Sequence, residues 1–133
     1  MTALPPCRIL VVDDHEDTAA MLGLLLTLIG HHTEVAHDGP EALAKAAEFR
    51  PDVVLLDINL PGLSGHEVAR KLRDQPWGRE ISLVAVTAMD QEPHRLESRR
   101  SGFDAHLVKP VDSHTLEALL AALRALRSAG ARP

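Results

Sequence analysis

One cysteine, Cys7, stands in a chain of 133 residues, so no internal disulfide braces the fold and the core has to hold it. Positive charge is not in excess either: the formal net charge is −5 and the pI about 5.9. That balance excludes a general binder of nucleic acid or of anionic membranes, which carries a basic excess. The longest apolar run, AAMLGLLLTLIG at 19–30, falls short of the ~20 residues of a spanning helix, and Asp13, Asp14, Glu16 and Asp17 precede it. It predicts a core helix and no membrane partner. No charged-then-apolar leader with a small-residue cleavage site opens the sequence, which with the lone cysteine sets the expectation of a reduced, cytoplasmic setting. Repeats, low-complexity runs and internal linkers are missing too. With 45% apolar residues the chain has the means for one core. A single domain over 1–133 is expected, its core at about 7–127 and 128–133 a frayed tail.

What is present alternates between two hydrophobic periods. RILVV (8–12), TEVA (33–36), DVVLL (52–56), ISLVAV (81–86) and AHLV (105–108) are short aliphatic or β-branched runs that predict five strands. Between and after them, 15–29, 40–49, 65–74, 93–101 and 113–127 carry helical spacing; in the last, Leu116, Leu119, Leu120, Leu123 and Leu126 share a face. Boundary residues agree. Gly39-Pro40 offers an N-cap and a proline in the first turn, Ser64 and Glu67 have capping-box spacing, and Pro93 suits a helix start. Gly30 and Gly102 stand where helices have to stop. Strict strand-helix alternation, with several strands apolar throughout, predicts an α/β fold: a doubly wound, five-stranded parallel sheet flanked by five helices.

In such sheets ligands bind beyond the carboxyl ends of the strands, where strand order reverses. The tips here are polar. Strand 1 runs into Asp13-Asp14, strand 3 into Asp57, strand 4 into Thr87 and strand 5 into Lys109-Pro110. Aspartate is a poor strand residue, so VVLLD before a Pro-Gly turn asks for a reason. If strands 1 and 3 are neighbours, three carboxylates converge, each pair repelling by about 1 to 4 kcal/mol at ~4 Å. A hard divalent cation offsets that, and Mg²⁺ suits best; Lys109 adds positive charge. Asp57 then has the character of a carboxylate nucleophile toward a phosphoryl group, with Lys109 and the Thr87 hydroxyl on the transferred oxygens. Taken singly these residues have blander readings. Asp13 or Asp14 can cap the first helix, Thr87 can be a turn residue and Lys109 a solvated one. The eight histidines show no i, i+4 metal pair and read mostly as surface residues. The cluster HRLESRR at 94–100 reads as a solvated face or a partner contact.

ILVVDDHED, DVVLLDINLPGLSG, VAVTA and GFDAHLVKPVD, in that order and spacing, resemble the receiver domain of two-component response regulators over about 7–127. The resemblance implies the flavodoxin-like strand order 2-1-3-4-5. It implies Asp57 as phosphoacceptor and as one of the metal's ligands, Asp14 as direct metal ligand, Asp13 as a ligand through water and the Asn59 backbone carbonyl as a further metal contact. Thr87 and Lys109 hold the phosphoryl group, backbone amides of Asn59 and Ala88 complete its cradle, and Lys109-Pro110 is cis. The partners implied are a sensor histidine kinase or phosphotransfer domain and a downstream protein. The leucines of the first helix are left for a homodimer or a kinase phosphotransfer helix.

Two positions depart from the family pattern. Where an aromatic ring usually turns inward with Thr87, three residues before the lysine, this chain has His106. Two residues after Thr87 stands Met89, which cannot orient water, so slow self-hydrolysis is implied. The expected switch repacks His106 and the face formed by 93–101, 105–108 and 113–127. The alternative is a degenerate receiver that acts only as a protein-binding module. A phosphohydrolase with an aspartate nucleophile needs a second Asp where Asn59 stands, and flavin binding needs a phosphate cradle where Asp-Asp-His-Glu-Asp stands.

Overall fold

In the computed structural model, described over residues 6–87 and 102–128, five strands form one parallel sheet in the order β2-β1-β3-β4-β5. The strands are β1 (Arg8–Val12), β2 (His32–Ala36), β3 (Val53–Asp57), β4 (Ser82–Thr87) and β5 (Ala105–Val108). The helices are α1 (Glu16–Ile29), α2 (Gly39–Phe49), α3 (Gly65–Arg73) and α4 (Ser113–Ser128), with a 3-10 turn at Gly78–Glu80. The helix expected at 93–101, the Ala88 amide, Met89 and the 129–133 part of the tail lie outside the described residues.

Period-2 alternation divides the core in two. Leu10, Val12, Val54, Leu56, Leu83 and Ala85 point to one face, under α2 and α3. Ile9, Val11, Leu55, Val84, Val86 and Leu107 point to the other, under α1 and α4. Every residue of β3 and β4 is buried, as parallel strands covered on both faces have to be. Leu116, Leu120 and Leu123 carry the buried face of α4, with Leu119 at its edge.

The expected boundaries shift by a residue in places that matter. β3 and β4 each end one residue later than their apolar runs, so Asp57 and Thr87 are the last residues of strands. Asp38, not Gly39, caps α2: its side chain accepts from the Glu41 amide at 2.8 Å, because a carboxylate satisfies an orphan N–H that glycine cannot. The Ser64–Glu67 capping box is formed and Gly30 ends α1 at φ 112°. Neither Asp13 nor Asp14 caps α1, whose N-cap is His15 without a side-chain bond. Among the described histidines His66 is the buried exception to the surface reading. It is buried, its ring edge-on to Phe103 at 6.0 Å between centroids, because α3 turns Gly65, His66, Val68, Ala69 and Leu72 inward.

Candidate functional site

The winding reverses between β1 and β3, which pair from Ile9↔Val53 to Val12↔Leu56. Asp13 and Asp57 therefore leave neighbouring strands at the same edge. Both are buried, Asp13 at 2% and Asp57 at 4% exposure, a state that carboxyl groups rarely take unless they are paired. The loop after β3 folds back over Asp57. The Gly65 amide donates to the Ile58 carbonyl at 2.9 Å, and a Cβ at Gly65 would stand 2.5 Å from the Asp57 carbonyl oxygen, so only glycine allows that approach.

Each oxygen of Asp57 has a donor. Oδ1 accepts from the Asn59 backbone amide at 2.9 Å and Oδ2 from the Lys109 ammonium at 3.1 Å. Lys109 also lies 3.2 Å from Asp13 Oδ2. Its backbone is set by β5, where the Lys109 amide donates to the Thr87 carbonyl at 2.8 Å, and the Lys109-Pro110 bond is cis as the resemblance implied. Asp14 is half-buried, and its Oδ1 is buried without a hydrogen bond from any described residue. Thr87 is buried at the end of β4, and Ile58 donates across to the Val86 carbonyl at 3.3 Å. The structure thus brings Asp13, Asp14, Asp57 and Lys109 together, with Thr87 at the adjacent strand end. Asn59 contributes its backbone amide and is itself exposed. His106 pairs with Ala85 in register and is half-buried; since Leu107 points to the α1/α4 face, His106 points to the face of α2 and α3.

His15 is the residue that sequence reasoning missed here. Its Nδ1 lies 3.2 Å from Asp13 Oδ1 and 3.4 Å from Asp14 Oδ1, and one donor atom each from Asp13, Asp14, His15 and Asp57 fall within 4.8 Å of one another. The signal was its place directly after Asp14; a search for paired histidines on one helix does not find it.

Among the described residues three carboxylates stand against one ammonium, which leaves the pocket negative. Burial, above all, pushes the Asp57 carboxyl above its usual range, with Asp13 adding to the push while the Asn59 amide and Lys109 pull back. Burial disfavours the Lys109 ammonium, but its bonds to Asp57 and Asp13 outweigh that and hold its pKa above the ordinary value. The residues fit a hard divalent cation: the donors are carboxylate oxygens, the local charge is negative, and a buried Asp14 oxygen has no hydrogen-bond donor among the described residues.

The raised proton affinity of Asp57 ties stability to pH. The folded state holds that proton more tightly than the unfolded chain does, so ionising Asp57 costs stability as pH rises through the folded pKa. In chelator, Asp57→Asn is expected to melt several degrees above the wild type at neutral pH, and the gain should shrink to nothing as pH falls to ~4. Melting curves across that range check it; an Asn variant that melts lower at neutral pH contradicts it.

A doubly wound domain of flavodoxin-like strand order, with an acidic pocket and a lysine at the switch point, is the class that this fold and site define. The family model of the response regulator receiver domain matches residues 9–121, and the chain belongs to that family. It is 43% identical over 116 residues, 87% of its length, to the response regulator PleD of Caulobacter vibrioides, of which it spans 26%. Chemotaxis protein CheY4 of Vibrio cholerae superposes with a TM-score of 0.83 at 30% identity, covering 90% of this chain and 99% of that one. The receiver domain of sensor histidine kinase PA1611 from Pseudomonas aeruginosa, which has magnesium coordinated in its active site cleft, gives 0.81 at 28% identity, covering 90% and 98%. Receiver domains accept phosphoryl groups in two-component signalling, bind Mg²⁺ in their acidic pocket and interact with histidine kinases. Among the described residues no helix is long and apolar enough to cross a membrane.

Proposed function

We propose that Asp57 takes a phosphoryl group from the phosphohistidine of a kinase or phosphotransfer domain, and that this single domain is the switch that reads it out. The observation that carries the reading is a buried carboxylate at the switch point, held at Oδ1 by the Asn59 amide and at Oδ2 by Lys109. An oxygen so held keeps a fixed direction for attack, which is the positional part of catalysis. It attacks phosphorus, the P–N bond to the donor imidazole breaks with its electron pair going to nitrogen, and an acyl phosphate results. Lys109, already within reach of Asp57 and Asp13, is placed to follow the transferred oxygens. The Thr87 hydroxyl and the Asn59 and Ala88 amides are assigned the remaining oxygens. Asp14 directly, Asp13 through water and the Asn59 carbonyl are the groups assigned to Mg²⁺, which when bound neutralises charge on the transferred oxygens.

The donor's approach is supported by α1. Met21, Leu24 and Leu28 are 71%, 60% and 75% exposed on one stripe, an unusual run of apolar surface for a helix flanking a site. They border a groove of about 780 Å³ that runs past Val86, Pro110 and Val111 to Lys109. A phosphotransfer helix laid there brings its histidine to Asp57. The output is assigned to Thr87, His106 and the surface of β5 with α4 and the 93–101 segment.

Incubation with Mg²⁺ and acetyl phosphate or phosphoramidate, followed by intact mass, tests the core of this reading. Wild type is expected to gain one phosphoryl adduct that requires Mg²⁺, and Asp57→Asn none. No adduct from a folded wild type with any donor overturns it in favour of the binding module.

A further inference from the structure

We propose that His15 sets the metal preference of the pocket: its imidazole joins the Asp13 and Asp14 carboxylates as a donor and turns an all-oxygen site toward first-row transition ions over Mg²⁺. The inference rests on the reading of this pocket as the cation site and concerns which ion it prefers.

His15 is the N-cap of α1, yet its side chain makes no capping bond, so the helix does not consume the ring. The backbone turns it to the acids instead. The His15 amide donates to Asp13 Oδ1 at 2.9 Å, which draws residue 15 back over the carboxylates. Nδ1 then lies 3.2 Å from Asp13 Oδ1 and 3.4 Å from Asp14 Oδ1. Adjacent donors on an octahedral ion with bonds of ~2.1 Å stand about 3.0 Å apart, so the separation of Nδ1 from Asp14 Oδ1, the direct ligand, is that of an edge that a small tightening closes. A hydrogen bond accounts for the contact of Nδ1 with Asp13 and not for the one with Asp14. Asp14 Oδ1, buried and without a hydrogen bond from any described residue, is left for a cation shared with the ring. The His15 side chain is 69% exposed, so it can move onto an ion from the solvent side while Asp13 and Asp57 reach it from the buried side.

The chemistry decides the direction. Mg²⁺ gains little from an imidazole because it prefers hard oxygen donors, whereas affinity for nitrogen rises from Mn²⁺ toward Ni²⁺ and Zn²⁺. One imidazole added to two or three carboxylates therefore raises affinity for those ions and leaves Mg²⁺ nearly where it was.

The test is calorimetric titration of wild type, His15→Ala and Asp14→Asn with Mg²⁺ and with Ni²⁺, together with pulsed paramagnetic resonance of the Mn²⁺-loaded proteins. His15→Ala is expected to weaken Ni²⁺ binding by about 10- to 100-fold, the range seen when groups that order a metal site are removed. Its Mg²⁺ affinity is expected to change by less than about threefold. Mn²⁺ in wild type is expected to show coupling to a nitrogen that His15→Ala lacks, and Asp14→Asn to lose both ions from this site. Equal loss of Mg²⁺ and Ni²⁺ in His15→Ala, or no nitrogen coupling in wild type, overturns the proposal and leaves the cation site standing. Wild type that binds neither Mg²⁺ nor Mn²⁺ removes the cation site itself.

Discussion

Lys109→Met is expected to slow phosphoryl uptake from a small donor by about 10²- to 10³-fold, the usual cost of removing one group that stabilises developing charge. Methionine keeps much of the stem's volume and discards only the ammonium. That ammonium touches two carboxylates, Asp57 at 3.1 Å and Asp13 at 3.2 Å, and is the positive group at the centre of the pocket. Without it the Asp57 carboxyl loses a partner that pulls its proton affinity down, so a smaller fraction is ionised and ready to attack. The phosphoryl oxygens also lose a counter-charge, so both effects lower the rate. Lys109→Arg should recover little, because a planar fork differs in shape and donor directions from a compact ammonium. Adduct formation followed by mass against time measures the effect, with circular dichroism showing that the variant is folded. A Met variant that takes up phosphoryl groups as fast as wild type removes Lys109 from the mechanism.

Arg73→Met is expected to cost about 3 kcal/mol and lower the melting temperature by about 10 °C, with no direct loss of a site residue. Arg73 ends α3 and spends its guanidinium on backbone. Nε and Nη2 donate to the Gly102 carbonyl at 3.1 and 2.8 Å, and Nη1 to the Gly78 and Ile81 carbonyls at 2.9 and 2.6 Å. Nη2 also donates to Asp104 Oδ2 at 2.8 Å, and the same oxygen accepts from the Leu83 amide at 2.8 Å. One side chain thus joins α3, the 3-10 turn, the start of β4 and the approach to β5. Methionine preserves the stem's packing, so the loss isolates the hydrogen bonds, each of which leaves a half-sheltered acceptor without its guanidinium partner. Arg73→Lys should behave almost like Met, since one ammonium cannot span four acceptors in a plane. Denaturant and thermal melts decide it; a shift of under a few degrees shows that water replaces the clamp.

The alternation of β-period and helix-period segments fixed the fold class, because a strand apolar on both faces has few stable settings other than a covered parallel sheet. The polar residues at the strand tips were equally readable. VVLLD puts an aspartate where burial and chain direction leave it at the carboxyl edge, and the structure has it as the last residue of β3. Asp13, Thr87 and Lys109 follow the same logic. The order 2-1-3-4-5 was legible through resemblance and not through periodicity, since each strand's pattern is the same whichever neighbour it takes.

Tertiary structure alone decided what those residues touch. That Asp13 and Asp57 share one ammonium depends on β1 lying beside β3 and on β5 closing the row past β4, contacts that span 52 residues between Asp57 and Lys109. Asp38 won the cap of α2 from Gly39 because a side-chain oxygen can reach the Glu41 amide, a matter of one residue of register that spacing does not resolve. His66 went inward because α3 packs its Gly65–Leu72 side on the sheet, and His15 turned to the acids because its own amide is bound by Asp13. Sequence sets which groups stand at the strand ends through local period and polarity; the pairing of distant strands sets which of them meet, because that contact is paid for by the whole core and not by the residues that use it.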